Sequence, residues 1–212
     1  MSTRIAVLVS GSGSNLQALI DAKTRGDIDG DIVGVLSNKP GVFALQRAAD
    51  AGLDTAVVAH GDYSGREAFD AAMHEQLLAW DCDLIVLAGF MRILSAGFVQ
   101  NWAGRMLNIH PSLLPKYRGT QTHQRAIDAG DSHHGCSVHF VTEELDGGPL
   151  VVQSSLNIQQ GDTADSLAER VQTLEHKVYP EVVGWFCNGK LQWHKGVISF
   201  ESAPLVAPLQ HS

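Results

Sequence analysis

Short apolar runs alternate with amphipathic stretches along the first half of the chain. The runs are rich in β-branched residues and read RIAVLVS (4–10), DIVGVLS (31–37), TAVVA (55–59) and DLIVLAG (83–89). Stretches with helical spacing, such as NLQALIDAK and SGREAFDAAMHEQLLAW, separate them. Strands buried on both faces are apolar throughout, whereas helices packed on a sheet are apolar on one side only. The alternation therefore predicts right-handed βαβ units and an α/β fold with a doubly wound, mostly parallel sheet.

The pattern changes after residue 105. The apolar runs become MLNIH, GCSVHFVTEE and LVVQSSLNI, and the last two are joined by an ELDGGP turn. This arrangement predicts an antiparallel or mixed edge added to the sheet in the C-terminal half. A long helix is predicted from Thr163 to about residue 188, with an N-cap signal at its start and Pro180 expected to kink or interrupt it. Residues from about 200 to 212 show no clear element and are predicted to form a tail.

Composition narrows the class of protein. A chain of 212 residues with 44% hydrophobic and 18% charged residues suits one globular domain, predicted to span 1–212. A net charge of -8 argues against a broad nucleic-acid surface but permits a small anionic substrate. No apolar run reaches membrane-spanning length, and the first residues show no signal-peptide pattern. The cysteines (Cys82, Cys136 and Cys187) lack the number or spacing of a disulfide framework or metal site. We therefore expect a cytoplasmic protein.

A glycine-rich segment, SGSGSN at 10–15, follows the first predicted strand. Gly11 and Gly13 allow the backbone to approach a ligand closely, and free amides at a helix start attract an anion. A dinucleotide site would require a third glycine where Leu16 stands and an acidic residue after the second strand, where the sequence reads SNK (37–39). A phosphate monoester therefore fits better than NAD. The alternative is a glycine turn with a polar cap and no ligand.

A second candidate site lies in LNIHPSLLP, residues 107–115. Asn108 and His110 are two residues apart on a strand, so both side chains lie on one face near its carboxyl end, where open α/β sheets bind ligands. An amide donor beside an imidazole suits a reaction that builds negative charge on an oxygen atom. A histidine at a strand end can equally be structural, and the sequence LDGGP at 145–149 is by itself a typical turn.

Five segments together resemble the phosphoribosylglycinamide formyltransferase family. They are SGSGSN (10–15), LAGFMRIL (87–94), LNIHPSLLPKY (107–117), HFVTEELDGGP (139–149) and RVQTLEHKVYP (170–180). They occur in order and without large gaps, within a match from about residue 4 to 195. The resemblance implies transfer of a formyl group from the co-substrate 10-formyltetrahydrofolate to the amine of glycinamide ribonucleotide, in de novo purine biosynthesis. It implies small-molecule partners, no metal, and no nucleic acid or membrane.

The resemblance also implies roles for individual residues, with the nucleotide phosphate in the N-terminal half and the folate and catalytic loops in the C-terminal half. The implied catalytic residues are Asn108, His110 and Asp146. The implied ribonucleotide contacts are Gly13, Ser14, Asn15, Gln172 and Glu175. The implied folate contacts are Arg66, Met91, Arg92, Ile93, Leu94, Asn108, Val141 and Asp146. Asp146 is expected to hold the His110 ring and to favour its imidazolium form.

Other interpretations remain open at this point. Methionyl-tRNA formyltransferases share the Asn-x-His and SLLP elements but carry a further C-terminal domain and a basic surface. Formyltetrahydrofolate hydrolases carry an N-terminal regulatory domain, and a non-catalytic nucleotide-binding module would not depend on His110. Arg118 and Gln121 depart from the usual family pattern, which expects an apolar or proline residue and often a histidine there. The histidines match no metal-ligand spacing. We expect a monomer or a homodimer.

Overall fold

The computed structural model describes residues 2–194 and 196–211. Its strands are β1 (Thr3–Val9), β2 (Gly30–Ser37), β3 (Thr55–Val57), β4 (Leu84–Leu87), β5 (Met106–His110), β6 (His133–Phe140), β7 (Leu150–Asn157), β8 (Leu191–His194), β9 (Val197–Phe200), β10 (Ala203–Pro204) and β11 (Leu209–His211). Its helices are α1 (Ser14–Arg25), α2 (Phe43–Asp50), α3 (Arg66–Ala79), α4 (Ala96–Asn101), α5 (Thr122–Asp128) and α6 (Ala164–Cys187), with a 3₁₀ turn at His60–Asp62.

The main sheet has the order β11-β7-β6-β5-β4-β1-β2-β3. The strands from β3 to β5 in this order are parallel. Strand β6 runs antiparallel to both β5 and β7, and β11 is parallel to β7. Both the doubly wound parallel sheet and its mixed C-terminal edge are therefore confirmed. The chain leaves β1 toward β2 on one side and returns to β4 on the other, which makes the β1–β4 boundary the topological switch point.

Two apolar layers cover the sheet, as a doubly wound fold requires. Along β1, Ile5 and Val7 belong to the layer that contains α1, α2 and α6, whereas Ala6 and Leu8 belong to the layer that contains α3 and α4. This alternation within an apolar strand explains why the strand shows no polar face in its sequence. In the part of the chain that is described, no helix is both long and apolar enough to cross a membrane.

Helix α6 begins where the sequence predicts. The Thr163 side chain accepts a hydrogen bond from the Ser166 amide at 3.2 Å, and the Ser166 hydroxyl accepts one from the Thr163 amide at 3.0 Å, forming a capping box. Of the kink or interruption predicted at Pro180, the interruption is wrong, because the helix continues to Cys187, and the kink stays a prediction. A proline costs about 3 kcal/mol within a helix. Here Pro180 lies in a buried stretch (178–180, 182–184), whose packing on the sheet offsets that cost.

The prediction that residues from about 200 to 212 form a tail without a clear element is also wrong, because β10 and β11 lie there. Strands β8, β9 and β10 form a small antiparallel sheet, and β11 adds a parallel edge strand to the main sheet. The Nε2 atom of His211 lies 3.0 Å from Glu181 Oε2 on α6, which fastens this last strand to the body of the fold. Strands of two or three residues are too short to show a period-two pattern, so the sequence gives no signal for them.

Candidate active site

The predicted site residues gather around the switch point of the sheet. The glycine-rich loop follows β1, the 91–94 segment follows β4, and Asn108 and His110 end β5. Gly13 precedes α1 with φ of 73°, and a Cβ atom there would lie 2.6 Å from Ala44 Cβ. Only glycine fits this turn without strain, because helix α2 approaches it so closely. The turn brings the first amides of α1 to the carboxyl edge of the sheet.

Helix α6 contacts the first residues of α1, next to the glycine-rich loop. The Gln172 side chain donates a hydrogen bond to Ser14 Oγ at 2.9 Å, and Asn15 Nδ2 donates one to Glu175 Oε2 at 2.8 Å. Glu175 is buried, and desolvation raises the pKa of its carboxyl group although the Asn15 hydrogen bond opposes that effect. The Asn15 Oδ1 atom is buried and has no hydrogen-bond partner among the described residues. The structure therefore brings together residues that are 160 positions apart in sequence, as the resemblance implies.

A cleft beside β4 and β5 holds most of the implied folate contacts. Its lining contains Arg92, Ile93, Leu94, Asn108, Val141 and Asp146. Met91 is not among the lining residues, and its side chain is 69% exposed. Arg66 begins α3, is exposed, and also lies outside the lining. A larger groove of about 570 Å³ lies between α1 and α2 and contains none of the implied site residues, so groove size alone does not locate the site.

His110 is paired with Asp146, which lines the cleft. His110 Nδ1 lies 3.5 Å from Asp146 Oδ2, and the two side chains are 7% and 8% exposed. The other ring nitrogen, Nε2, lies 2.9 Å from the Tyr117 carbonyl oxygen, which can only accept, so Nε2 carries a proton. A separation of 3.5 Å is long for a hydrogen bond. Nδ1 is therefore the nitrogen that is available to a substrate atom or an ordered water molecule.

The LDGGP turn holds Asp146 in place. Asp146 has φ of 48°, and its Oδ2 atom accepts a hydrogen bond from the Gly119 amide at 2.8 Å. A Cβ atom on Gly148 would lie 1.8 Å from the Phe140 carbonyl oxygen, so only glycine is accommodated there. The segment is thus a tight turn, as its sequence predicts, and the turn also directs the carboxylate at His110. The two interpretations of this segment are compatible.

His139 is a site residue that sequence reasoning did not assign. It lies on β6 directly opposite Asn108, and Asn108 Nδ2 donates a hydrogen bond to His139 Nε2 at 3.0 Å. Its Nδ1–H donates to the Phe140 carbonyl at 2.8 Å, which leaves Nε2 as an acceptor. Burial lowers the pKa of His139 and keeps the ring neutral. The antiparallel pairing of β5 and β6 was the signal that could have located it, but the register between the strands was unknown.

The two residues that depart from the family pattern have structural roles. Arg118 forms an ion pair with Glu144, and this pair joins the loop after β5 to the loop that precedes Asp146. Gln121 takes a left-handed conformation with φ of 57° at the start of α5. Among residues 2–194 and 196–211, no group of three or more His, Cys, Asp or Glu side chains is placed to hold a metal ion.

A pair of histidines lies behind the His110 loop. His134 Nε2 is 3.1 Å from His123 Nδ1, and the His134 ring packs edge-on against Tyr117, whose carbonyl holds His110. Burial, with the neighbouring His123 adding to it, lowers the pKa of His134 to about 4. At pH values between about 4 and the ordinary histidine pKa of about 6.5, the unfolded chain therefore binds more protons at this residue than the folded chain.

This shift predicts a loss of stability in acid. Because the pKa of His134 is lowered on folding, its contribution to the free energy of unfolding decreases as pH falls from about 6.5 towards 4. We expect His134→Gln to flatten the pH dependence measured by urea unfolding between pH 7.5 and 4.5. His133→Gln, which changes the exposed neighbour, serves as the control. Equal slopes for wild type and His134→Gln would contradict the assignment.

Comparison with known proteins places the chain in a class. A family model described as formyl transferase matches residues 3–183, so the chain belongs to the formyl transferase family. It is 50% identical over 191 residues to phosphoribosylglycinamide formyltransferase of Escherichia coli (strain K12), a match that covers 90% of each chain. It is 51% identical over 189 residues to the trifunctional purine biosynthetic protein adenosine-3 of Drosophila melanogaster, covering 88% of this chain but 14% of that protein.

Comparison of the fold with solved structures also supports membership of this family. The solved structure of phosphoribosylglycinamide formyltransferase from Coxiella burnetii superimposes with a TM-score of 0.95 at 43% identity and covers 100% of both chains. The resemblance inferred from the sequence motifs is therefore confirmed at the level of the family.

Proposed function

We propose that this chain transfers the formyl group of 10-formyltetrahydrofolate to the amine of glycinamide ribonucleotide, giving formylglycinamide ribonucleotide in de novo purine biosynthesis. The observation that carries the proposal is that Asn108 and Asp146 line one cleft, with His110 Nδ1 3.5 Å from Asp146 Oδ2, while the glycine-rich loop before α1 lies at the switch point. Relatives that match this chain over most of their length are named for this reaction. A metabolic enzyme of this kind is expected to act in the cytoplasm.

The ribonucleotide is assigned to the loop side of the site. Its phosphate is placed at Gly13, Ser14 and Asn15, where backbone amides and the dipole of α1 favour a negative charge. Gln172 and Glu175 hold that loop from α6 and are assigned to the rest of the nucleotide. The unpartnered Asn15 Oδ1 atom supports this assignment, because a buried polar atom without a partner is costly unless a ligand completes it.

The folate is assigned to the cleft. Its ring system is placed against Ile93, Leu94 and Val141, which give an apolar wall to a cavity that also contains polar groups. Arg92, Met91 and Arg66 are assigned to the outer part of the same ligand. Asn108 and Asp146 line the same cleft, and the formyl group is assigned beside them, where it would meet the nucleotide amine.

The arrangement is suited to direct formyl transfer. The nucleotide amine attacks the formyl carbon, forming a carbon–nitrogen bond and placing a negative charge on the formyl oxygen. Asn108, with its amide oriented by His139, and the His110 imidazolium are proposed to donate hydrogen bonds to that oxygen. Asp146 stabilises the imidazolium. The bond from carbon to the folate nitrogen then breaks, and the proton lost by the amine reaches that nitrogen through His110 or a water molecule beside Nδ1.

An assay that omits one substrate at a time tests the proposal. Folate deformylation should require both 10-formyltetrahydrofolate and glycinamide ribonucleotide, and His110→Ala should abolish most of it. Deformylation without the nucleotide would indicate a hydrolase instead. Tight nucleotide binding with no deformylation, in wild-type protein that is folded, would indicate a binding module. The oligomeric state stays a prediction of a monomer or homodimer and does not affect this assay.

Arg66 gives a separate prediction for the folate contacts. Since its side chain is exposed at the start of α3, we expect it to meet the acidic tail of the folate and to contribute an exposed charge pair. Such pairs contribute about 0.2–1 kcal/mol. Arg66→Ala should therefore raise the KM for 10-formyltetrahydrofolate by a factor of roughly 1.4 to 5 and leave the KM for the nucleotide unchanged. Arg25→Ala, at the far end of α1, is the control, and an unchanged folate KM in Arg66→Ala would remove Arg66 from the site.

A further inference from the structure

A buried hydroxyl connects the two sides of the proposed site. Ser10 follows β1 and begins the glycine-rich loop, and its Oγ atom accepts a hydrogen bond from the Met91 amide at 2.8 Å. The same hydroxyl donates to Asn38 Oδ1 at 2.6 Å. Ser10 is 7% exposed and Asn38 is 1% exposed. We infer that Ser10, oriented by Asn38, is a positioning residue that fixes the folate segment relative to the nucleotide loop.

The contacts of the glycine-rich loop support this inference. On its outer side the loop is held by α2, where the Ala44 amide donates to the Gly11 carbonyl at 3.1 Å and Arg47 Nε donates to the Ser12 carbonyl at 2.9 Å. Ser10 faces the opposite direction, toward the start of the 91–94 segment. A shift of the loop on binding a phosphate is therefore transmitted to Met91 through one hydrogen bond.

The far end of the folate segment is held separately. The Ser95 amide donates a hydrogen bond to the Asp70 carboxylate, which is buried on α3. The segment is thus fastened at both ends, but the Asp70 end rests on a helix that carries no nucleotide contact. The hydrogen bond from the Met91 amide to Ser10 Oγ joins the nucleotide loop (residues 10–15) to the folate segment (residues 91–94).

Asn38 determines which way the Ser10 hydroxyl points. A serine hydroxyl has one proton, and when Asn38 Oδ1 accepts it, a lone pair is directed at the Met91 amide. Asn38 stands after β2, where dinucleotide-binding folds carry an acidic residue that contacts a ribose. Here the side chain bonds the Ser10 hydroxyl, and the His60 Nδ1 atom lies 3.0 Å from the Asn38 backbone carbonyl oxygen.

The inference rests on the proposed function, and it predicts thermodynamic coupling between the two ligands. Tetrahydrofolate, which has no formyl group, is titrated by calorimetry with and without saturating glycinamide ribonucleotide, so that no turnover occurs. In the wild type we expect the nucleotide to tighten tetrahydrofolate binding about fivefold, the factor that corresponds to a net hydrogen-bond contribution near 1 kcal/mol. By reciprocity, tetrahydrofolate should tighten nucleotide binding by the same factor.

Variants separate positioning from general stability. Ser10→Ala should reduce the coupling factor to about one and weaken tetrahydrofolate binding in the ternary complex about fivefold, while Ser10→Thr, which keeps the hydroxyl, should restore the coupling. Ser154→Ala removes a hydroxyl that is equally buried but bonds the His211 carbonyl, and it should leave the coupling unchanged. If Ser10→Ala does not fold, Asn38→Ala provides the test instead. Without Asn38 the Ser10 hydroxyl is free to rotate, so this variant should also lose the coupling between the two ligands.

The outcomes distinguish this inference from the proposed function. Wild-type protein that turns over both substrates but shows no coupling would overturn the inference and leave the function standing. Coupling retained in Ser10→Ala, or lost equally in Ser154→Ala, would overturn it as well. Absence of turnover in the wild type, measured on the same preparation, would instead count against the proposed function.

Discussion

Asp146→Asn should lower turnover by roughly 10²- to 10⁴-fold, the range typical of positioned acid–base groups. Asp146 Oδ2 lies 3.5 Å from His110 Nδ1, and both side chains are nearly excluded from solvent. Asparagine keeps the shape and an acceptor for the Gly119 amide, so the turn should survive while the charge opposite the imidazolium is lost. Steady-state kinetics and thermal unfolding of the same preparations measure the two effects separately.

The effects of substituting Asp146 and His110 on turnover should be strongly non-additive. If Asp146 acts only through His110, a variant carrying both Asp146→Asn and His110→Ala should be little slower than His110→Ala alone. Asp162→Asn is a matched control, because Asp162 is equally buried in a loop and accepts a backbone hydrogen bond from Gln159, but it lies at the start of α6. Losses that multiply fully in folded variants would mean that the two residues act independently.

Asn108→Ala has the second large expected effect. Loss of one positioned oxyanion donor typically costs about 2.7–4 kcal/mol, or roughly 10²- to 10³-fold in kcat. The effect should fall on kcat and kcat/KM together, because the donor is proposed to act on charge that develops in the transition state. The substitution also removes the Asn108 amide group from which His139 Nε2 accepts a hydrogen bond. Kinetic constants for both substrates measure the result.

Two further variants define the role of Asn108. Asn157→Ala removes an amide at the end of β7 and controls for a general effect of losing an asparagine from the sheet. His139→Phe removes the acceptor that orients Asn108, and it should lower kcat in the same direction as Asn108→Ala but by less. An Asn108→Ala protein that keeps its kcat and loses only folate affinity would show that Asn108 binds the ground state and does not stabilise the oxyanion.

The sequence predicted the features that repeat along the chain. The apolar runs at β1, β2 and β4 are long enough to show burial on both faces, and the Thr163 cap is a local signal that needs no tertiary context. The same local logic failed at Pro180, because the packing of α6 on the sheet decides that position. It failed again at β11, whose three residues are defined only by their neighbour β7.

In the candidate site, too, local patterns were predictable and tertiary contacts were not. The glycine turn and the Asn108–His110 spacing are visible as local patterns, and the family resemblance supplied the distant partners Asp146, Gln172 and Glu175. His139 and Ser10 were missed because their importance depends on strand register and on a loop contact between residues 81 positions apart. No period or motif encodes such a contact, so it has to be read from the folded chain.

In direct transfer, the formyl carbon passes from folate to the nucleotide amine without release as formate. The most direct measurement follows 10-formyltetrahydrofolate labelled with ¹³C in the formyl group by NMR, with enzyme and glycinamide ribonucleotide present. With direct transfer, the label should appear in the formamide of the nucleotide product, one equivalent for each folate consumed, and His110→Ala should slow its appearance. Label that accumulates as free formate, at the same rate with and without the nucleotide, would contradict it.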